Sequence, residues 1–187
     1  DPKNSQAYAG LGNVYARKGD IEAAIENFNE AISIDPKKSQ AYAGLGNVYA
    51  RKGDIEAAIE NFNKAISIGP KNSQAYAGLG GAYTKKGDYA AAIENCNKAI
   101  SIDPKNSQAY AGLGNAYAKK GDSATAIENF NKAIAINPDN AYAYAGLYNV
   151  YFSRNDADSM LKKEEILKKL EKLDKTLADK ICGPRVK

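Results

Sequence analysis

The chain has 187 residues, 44% of them hydrophobic and 26% charged, which suits a folded domain and excludes a disordered one. Its 26 Lys and Arg stand against 22 Asp and Glu, a net charge of +4 that gives no strong pull on nucleic acid. It has no His and two Cys, which excludes Ser-His-Asp chemistry, histidine metal sites, a structural zinc and a disulfide framework; it implies neither enzyme nor cofactor.

No stretch approaches the roughly 18 apolar residues of a membrane helix, so membrane insertion is not expected. The chain opens at Asp1 with no charged-then-apolar leader. A removed leader and a longer parent chain both remain open, and so does the compartment, with the cytoplasm as default.

A 34-residue period organises the sequence. Residues 1–34 return at 35–68 with only Asn4→Lys38 and Glu30→Lys64 changed, again at 69–102 and 103–136 with modest drift, and a fifth copy starts at Asn137 and fades near Asp156. The expected division is therefore an array over 1–156, with units starting at 1, 35, 69, 103 and 137, and a divergent segment over 157–187. Each unit reads as two helices. Pro2, Pro36, Pro70, Pro104 and Pro138 mark the turns between units. Asn4, Asn72, Asn106 and Asn140 are expected to cap the first helix, with Ser39 serving where Lys38 stands.

That first helix, about Ser5 to Arg17, carries Tyr8, Leu11, Gly12 and Tyr15 on one face. Lys18-Gly19-Asp20 ends it and caps the next. The second helix, about Ile21 to Ser33, places Ala24, Ile25, Phe28, Ala31 and Ile32 on one side, with Gly12 and Ala24 small where helices approach.

Tyr8, Leu11, Gly12, Tyr15, Ala24, Phe28, Ala31 and Pro36 resemble, in order and spacing, the signature of the tetratricopeptide repeat, with Tyr where that family most often has Trp. The resemblance covers residues 1–156. It implies an all-α, right-handed superhelical solenoid of antiparallel helix pairs, first helices lining a concave groove. In that family the work is protein–protein recognition, of an extended peptide or a partner helix, without catalysis or cofactor.

A second stripe on the first helix, placed by the family comparison on the concave wall, reads Gln6, Ala9, Gly10, Asn13, Arg17. It recurs as Gln40, Ala43, Gly44, Asn47, Arg51, as Gln74, Ala77, Gly78, Gly81, Lys85, and as Gln108, Ala111, Gly112, Asn115, Lys119. Ala and Gly are expected to leave an open floor. Asn13, Asn47, Asn115 and Asn149 form an amide ladder able to grip a peptide backbone. Arg17, Arg51, Lys85 and Lys119 form a basic edge that favours acidic residues. Two bland explanations compete: near-copies repeat any surface residue, and basic residues near a turn suit a helix C-terminus.

A chaperone-type carboxylate clamp is disfavoured. Ala9 stands where its Lys belongs, and Gly10, Gly44 and Gly78 where an Asn and an Arg are expected. The G-x-G in AGLGNVY lies within a helix and is no nucleotide loop. Glu22, Glu26 and Glu30 read as a solvated face. Cys96 replaces the Phe28-type residue and reads as a buried apolar side chain, while Cys182 lies near a polar terminus.

After Asp156 neither Gly nor Pro appears until Gly183, so one long helix or two in succession are expected. Tyr148, Asn155, Met160 and Glu164 replace the Gly, turn Gly, Ala and Phe of the pattern. Ile166, Leu170, Leu173, Leu177 and Ile181 form one stripe. The segment has nine basic and six acidic residues. A cap on the fourth and fifth units is expected; packing on a second copy, giving a homodimer, is the rival. The whole reads as a protein or peptide interaction scaffold, the alternative being a self-assembling spacer with no groove ligand.

Overall fold

A computed structural model describes residues 4–153 and 157–182. Pro2, Asn155 and the side chain of Cys182 lie outside what it describes. Eleven α-helices and no strand are found among the described residues. One compact unit, Asp1–Pro104, holds α1 (Ser5–Lys18), α2 (Ile21–Ile34), α3 (Ser39–Lys52), α4 (Ile55–Ile68), α5 (Ser73–Lys86) and α6 (Tyr89–Ile102). The other, Lys105–Lys187, holds α7 (Ser107–Lys120), α8 (Ser123–Ile136), α9 (Ala141–Ser153), α10 (Ala157–Leu173) and α11 (Lys175–Cys182).

Local chemistry sets each hairpin. Asn4 Oδ1 accepts from Ala7 N at 3.0 Å to start α1, and Asp20 Oδ1 accepts from Ala23 N at 3.1 Å to start α2. Between them Gly19 takes φ 87°, the left-handed conformation a side chain would strain. The two-residue link makes neighbours antiparallel. Lys38 is the N-cap of α3 and offers no side-chain bond. Ser39 does not replace it: already in the helix, it donates from Oγ to Ala65 O at 3.0 Å.

That serine belongs to a relay between pairs. Asn72 Nδ2 donates to Ser39 Oγ at 2.7 Å while Asn72 Oδ1 caps α5 by accepting from Ala75 N at 3.0 Å. Asn140 repeats the arrangement, donating to Ser107 Oγ at 2.6 Å and accepting from Ala143 N at 3.1 Å. In the first pair the asparagine is replaced by Lys38, and the buried Ser5 Oγ has no partner.

Packing is a ring between glycines. Phe28 is buried between α1 and α3: a Cβ on Gly12 would lie 3.0 Å from its ring and one on Gly44 only 2.4 Å. Phe62 sits likewise on Gly46 and Gly78, and Phe130 on Gly114 and Gly146. Cys96 is a smaller plug: a Cβ on Gly80 would lie 2.4 Å from its Sγ and 3.0 Å from Ala92 O, so α5 and α6 meet through backbone. Burial pushes its thiol up to about 12.

The last pair departs from the pattern. Met160 and Glu164 do not occupy the Ala and Phe positions. Both are exposed, Met160 at 60%, while Ser159, Leu167 and Leu170 are buried. Turning α10 by one residue, about 100°, spares Glu164 from burial and brings an apolar stripe onto α9. Tyr148, in place of a glycine, fills the space left without a Phe and stacks on Phe152 with ring centroids 6.0 Å apart.

The C-terminal segment is two helices, broken at Asp174, whose Oδ1 accepts from Leu177 N at 2.9 Å. Ile166 packs on the cluster around Phe130 and Leu147, and Leu170, Leu177 and Ile181 pack with Ala141, Ala145 and Tyr148. Among the earlier helices α10 and α11 thus lie against α9, the first helix of the fifth pair. Among the described residues no helix is long and apolar enough to cross a membrane.

Candidate functional site

Within each compact unit the first helices touch directly, α1 with α3, α3 with α5 and α7 with α9, so equivalent positions fall into rows. Residues 4–104 carry exposed Gln6, Gln40 and Gln74 in one row, Asn13 and Asn47 in a second, and Arg17, Arg51 and Lys85 in a third. Gly81 extends the Asn row as a gap, with nothing within 4 Å of a Cβ placed on it. In the other unit Gln108, Lys119 and Asn149 are exposed and Asn115 is half-buried.

The floor between the rows is not the open one expected from small residues. Ala9, Ala43, Ala77 and Ala111 are buried, and Gly44, Gly78 and Gly146 each meet the preceding Phe ring. Small size there serves helix-to-helix approach, not ligand room. Gly10 and Gly81 alone of the glycines in these stripes of the first unit face open space.

The basic row has a structural duty. Arg51 Nη1 donates to Ala16 O, and Lys85 Nζ donates to Ala50 O at 2.6 Å. Each adds a side-chain donor to a carbonyl in the last turn of the preceding first helix, Ala16 O accepting from Gly19 N as well. The dipole argument therefore holds across the pair boundary as well as along one helix. Arg51 keeps further guanidinium donors, so carbonyl capping and anion binding are compatible.

Tyr142 was not singled out by the stripe, yet the 34-residue register places it at the Gln position of the fifth pair. It is 69% exposed. The signal was legible in the spacing: the position held by Gln6, Gln40, Gln74 and Gln108 is held by Tyr142 in the fifth pair, so an aromatic stands on α9 two turns before Asn149.

Electrostatics around the rows are mild. Hydrogen bonds from the Thr125 side chain and backbone hold the exposed Asp122 carboxyl below its ordinary value, consistent with capping α8. Lys132 is held above its ordinary value by Glu128, 2.7 Å away. Glu22, Glu26 and Glu30 are exposed along α2, and no group of three or more His, Cys, Asp or Glu able to hold a metal ion occurs among the described residues.

A family model described as TPR repeat matches residues 12–53, 46–85 and 80–121, and one described as Tetratricopeptide repeat matches 107–140. No curated protein matches the sequence. Among solved structures the fold is similar to TTC0263, described as a thermophilic TPR protein in Thermus thermophilus. The TM-score is 0.84 at 20% identity, over 95% of this chain and 97% of that one. MamA is similar at TM-score 0.64 and 29% identity, over 88% and 97%. YrrB, described as a TPR protein with an unusual peptide-binding site, is similar at TM-score 0.57 and 23% identity, over 94% and 90%.

Proposed function

The chain belongs to the tetratricopeptide repeat family, and on that premise we propose that it is a non-catalytic interaction scaffold whose first helices bind an extended, acidic peptide. Proteins of this family generally mediate protein–protein contact. The observation that carries the finer reading is the pairing of exposed amide rows with a basic row inside one compact unit. Gln6, Gln40, Gln74, Asn13 and Asn47 offer donors and acceptors to a peptide backbone, and Arg17, Arg51 and Lys85 offer charge beside them.

One feature distinguishes this site from a pocket of fixed specificity. The rows are nearly uniform from pair to pair, so they suit a main chain whose amides also repeat. Side-chain selectivity in the second unit falls to Tyr142, an exposed aromatic two turns before Asn149 on α9. The peptide-binding description of YrrB agrees in kind with this reading.

The test is a fluorescence-anisotropy screen of acidic and basic peptide pools against the chain and against Asn13→Ala/Asn47→Ala. Acidic peptides should bind, more weakly as salt rises, and the double variant should lose at least tenfold. Equal retention of acidic and basic pools, or full binding by the variant, would leave the spacer reading in its place.

A further inference from the structure

Four of the five first helices begin under an asparagine side chain. The Ala7, Ala75, Ala109 and Ala143 amides each donate to an Asn Oδ1, at 3.0, 3.0, 3.0 and 3.1 Å. Helix α3 does not. Lys38 is its N-cap, and Ala41 N bonds to Lys38 O at 3.0 Å without a side-chain acceptor. The same residue strands a second group. Ser5 is 8% exposed and its Oγ has no hydrogen-bond partner, whereas the equivalent Ser39 and Ser107 take bonds from the next N-cap, Asn72 and Asn140, at 2.7 and 2.6 Å. By the register of the repeat Ser5 therefore faces the start of α3. The missing donor belongs at residue 38, so the mismatch is internal to the sequence.

We propose that the N-terminus of α3, backed by the Ser5 hydroxyl, binds a single carboxylate group. A carboxylate has the shape of the asparagine carboxamide that joins these positions in other pairs, with two polar atoms on one planar carbon. One oxygen accepts from Ala41 N, as Asn72 Oδ1 accepts from Ala75 N. The other accepts from Ser5 Oγ. That reverses the bond which Ser39 receives from Asn72, and a hydroxyl can serve in either sense.

Charge selects a carboxylate over an amide. The first turn of a helix favours an anion. Lys37 and Lys38 stand before α3 with one acid, Asp35, whose Oδ1 is already held by Lys37 N at 3.0 Å. At α5 and α9 the carboxamides of Asn72 and Asn140 are covalent parts of the chain and both of their partners are met. The site lies at the start of α3, whereas Arg51 lies in its last turn. It uses neither the Asn row nor the basic row, so it stands apart from the peptide reading of those rows.

A carboxylate comes free or on a peptide, so the probes are acetate, a Gly-Glu-Gly peptide blocked at both ends, and an N-acetylated Gly-Gly-Gly with a free C-terminus. Each is titrated into the full chain at constant ionic strength and followed in amide correlation NMR spectra. The Ala41 amide should shift saturably with at least one probe, and the tightest names the source: free anion, side chain or C-terminus. The Ala75 amide, whose acceptor is in place, should stay fixed. Ser5→Ala should weaken binding by about tenfold or more, the loss of one hydrogen bond to a charged group. Lys38→Asn supplies its own carboxamide and should abolish binding. Neither variant removes a side-chain hydrogen bond of Ser5 or a cap of α3, and circular dichroism should show both folded. No saturable shift at all, an equal shift of Ala75, an equal shift with chloride, or binding undiminished in Lys38→Asn overturns the proposal.

Discussion

Replacing Lys38 with Asn should stabilise the chain by about 2 kcal/mol. Two losses meet at this residue. Helix α3 begins without a side-chain cap, whereas α1, α5 and α7 each have an Asn whose Oδ1 accepts at 3.0 Å. An Asn cap is worth about 1 kcal/mol, within a range of roughly 0.5–2. The second loss is Ser5, whose buried hydroxyl has no partner, while the corresponding Ser39 and Ser107 receive bonds from Asn72 and Asn140. A net hydrogen bond adds about 1 kcal/mol more. Urea unfolding of the wild type and Lys38→Asn measures the sum, and the cycle with Ser5→Ala separates the parts. The cap should survive Ser5→Ala, and the relay should appear as a coupling of about 1 kcal/mol between positions 5 and 38. A gain below about 0.5 kcal/mol, or coupling near zero with a full gain, would refute the two-part reasoning.

Other substitutions read other parts of the packing. Leu45→Ala removes a side chain buried against α2 and should cost about 2–5 kcal/mol in urea unfolding, while Leu11→Ala, at the exposed equivalent, should cost under about 1. Gly78→Ala should cost about 1–3 kcal/mol because its Cβ would lie 2.4 Å from the Phe62 ring, whereas Gly10→Ala and Gly81→Ala should each gain about 0.5–1 from helix propensity. Asp122 is held below its ordinary value, so its stabilising effect is complete above the usual carboxylate range and fades as pH falls through the lowered value; Asp122→Asn should flatten that part of a melting-temperature profile taken from pH 7 downward. In a Cys182→Ser background Cys96 should resist alkylation at pH 8 until the chain is unfolded, since burial pushes its thiol up to about 12.

The period made most of the fold legible. Gly19 and Asp20 end and start helices as their chemistry requires, and Ala24, Phe28 and Ala31 go inside. The pattern misled where one residue type has two uses. Ala9 lies on the same helical stripe as Gln6 and Asn13, and Gly44 on that of Gln40 and Asn47, and a stripe does not say which of its members touch the next helix. Only the position of the Phe28 ring decides that. Arg51 and Lys85 were legible as a basic row, but their carbonyl partners, Ala16 and Ala50, belong to another pair. The turn of α10 was hidden for a different reason. Alignment to the period put Glu164 at a core position, and the cost of burying an unpaired carboxylate overrides sequence register.

Repetition itself supplies a control that a single domain lacks. Identical helices α1 and α3 have the same propensities, caps of known difference and the same side chains, so the contrast between Leu11 and Leu45 isolates the neighbour. The same logic bears on recognition. On the proposed reading, where rows repeat each pair offers a peptide nearly equal binding energy, and affinity would grow by spanning more pairs rather than by finding one favoured pair. Departures from the repeat then mark where selectivity enters. Gly81 interrupts the Asn row, Tyr142 ends the Gln row with an aromatic, and Lys38 withdraws a structural amide without touching either row. Affinity should therefore track peptide length within a unit, and sequence preference should track Gly81 and Tyr142. Gly81→Asn would raise affinity for every peptide alike, while Tyr142→Gln would narrow the difference between peptides that carry an apolar residue and those that do not.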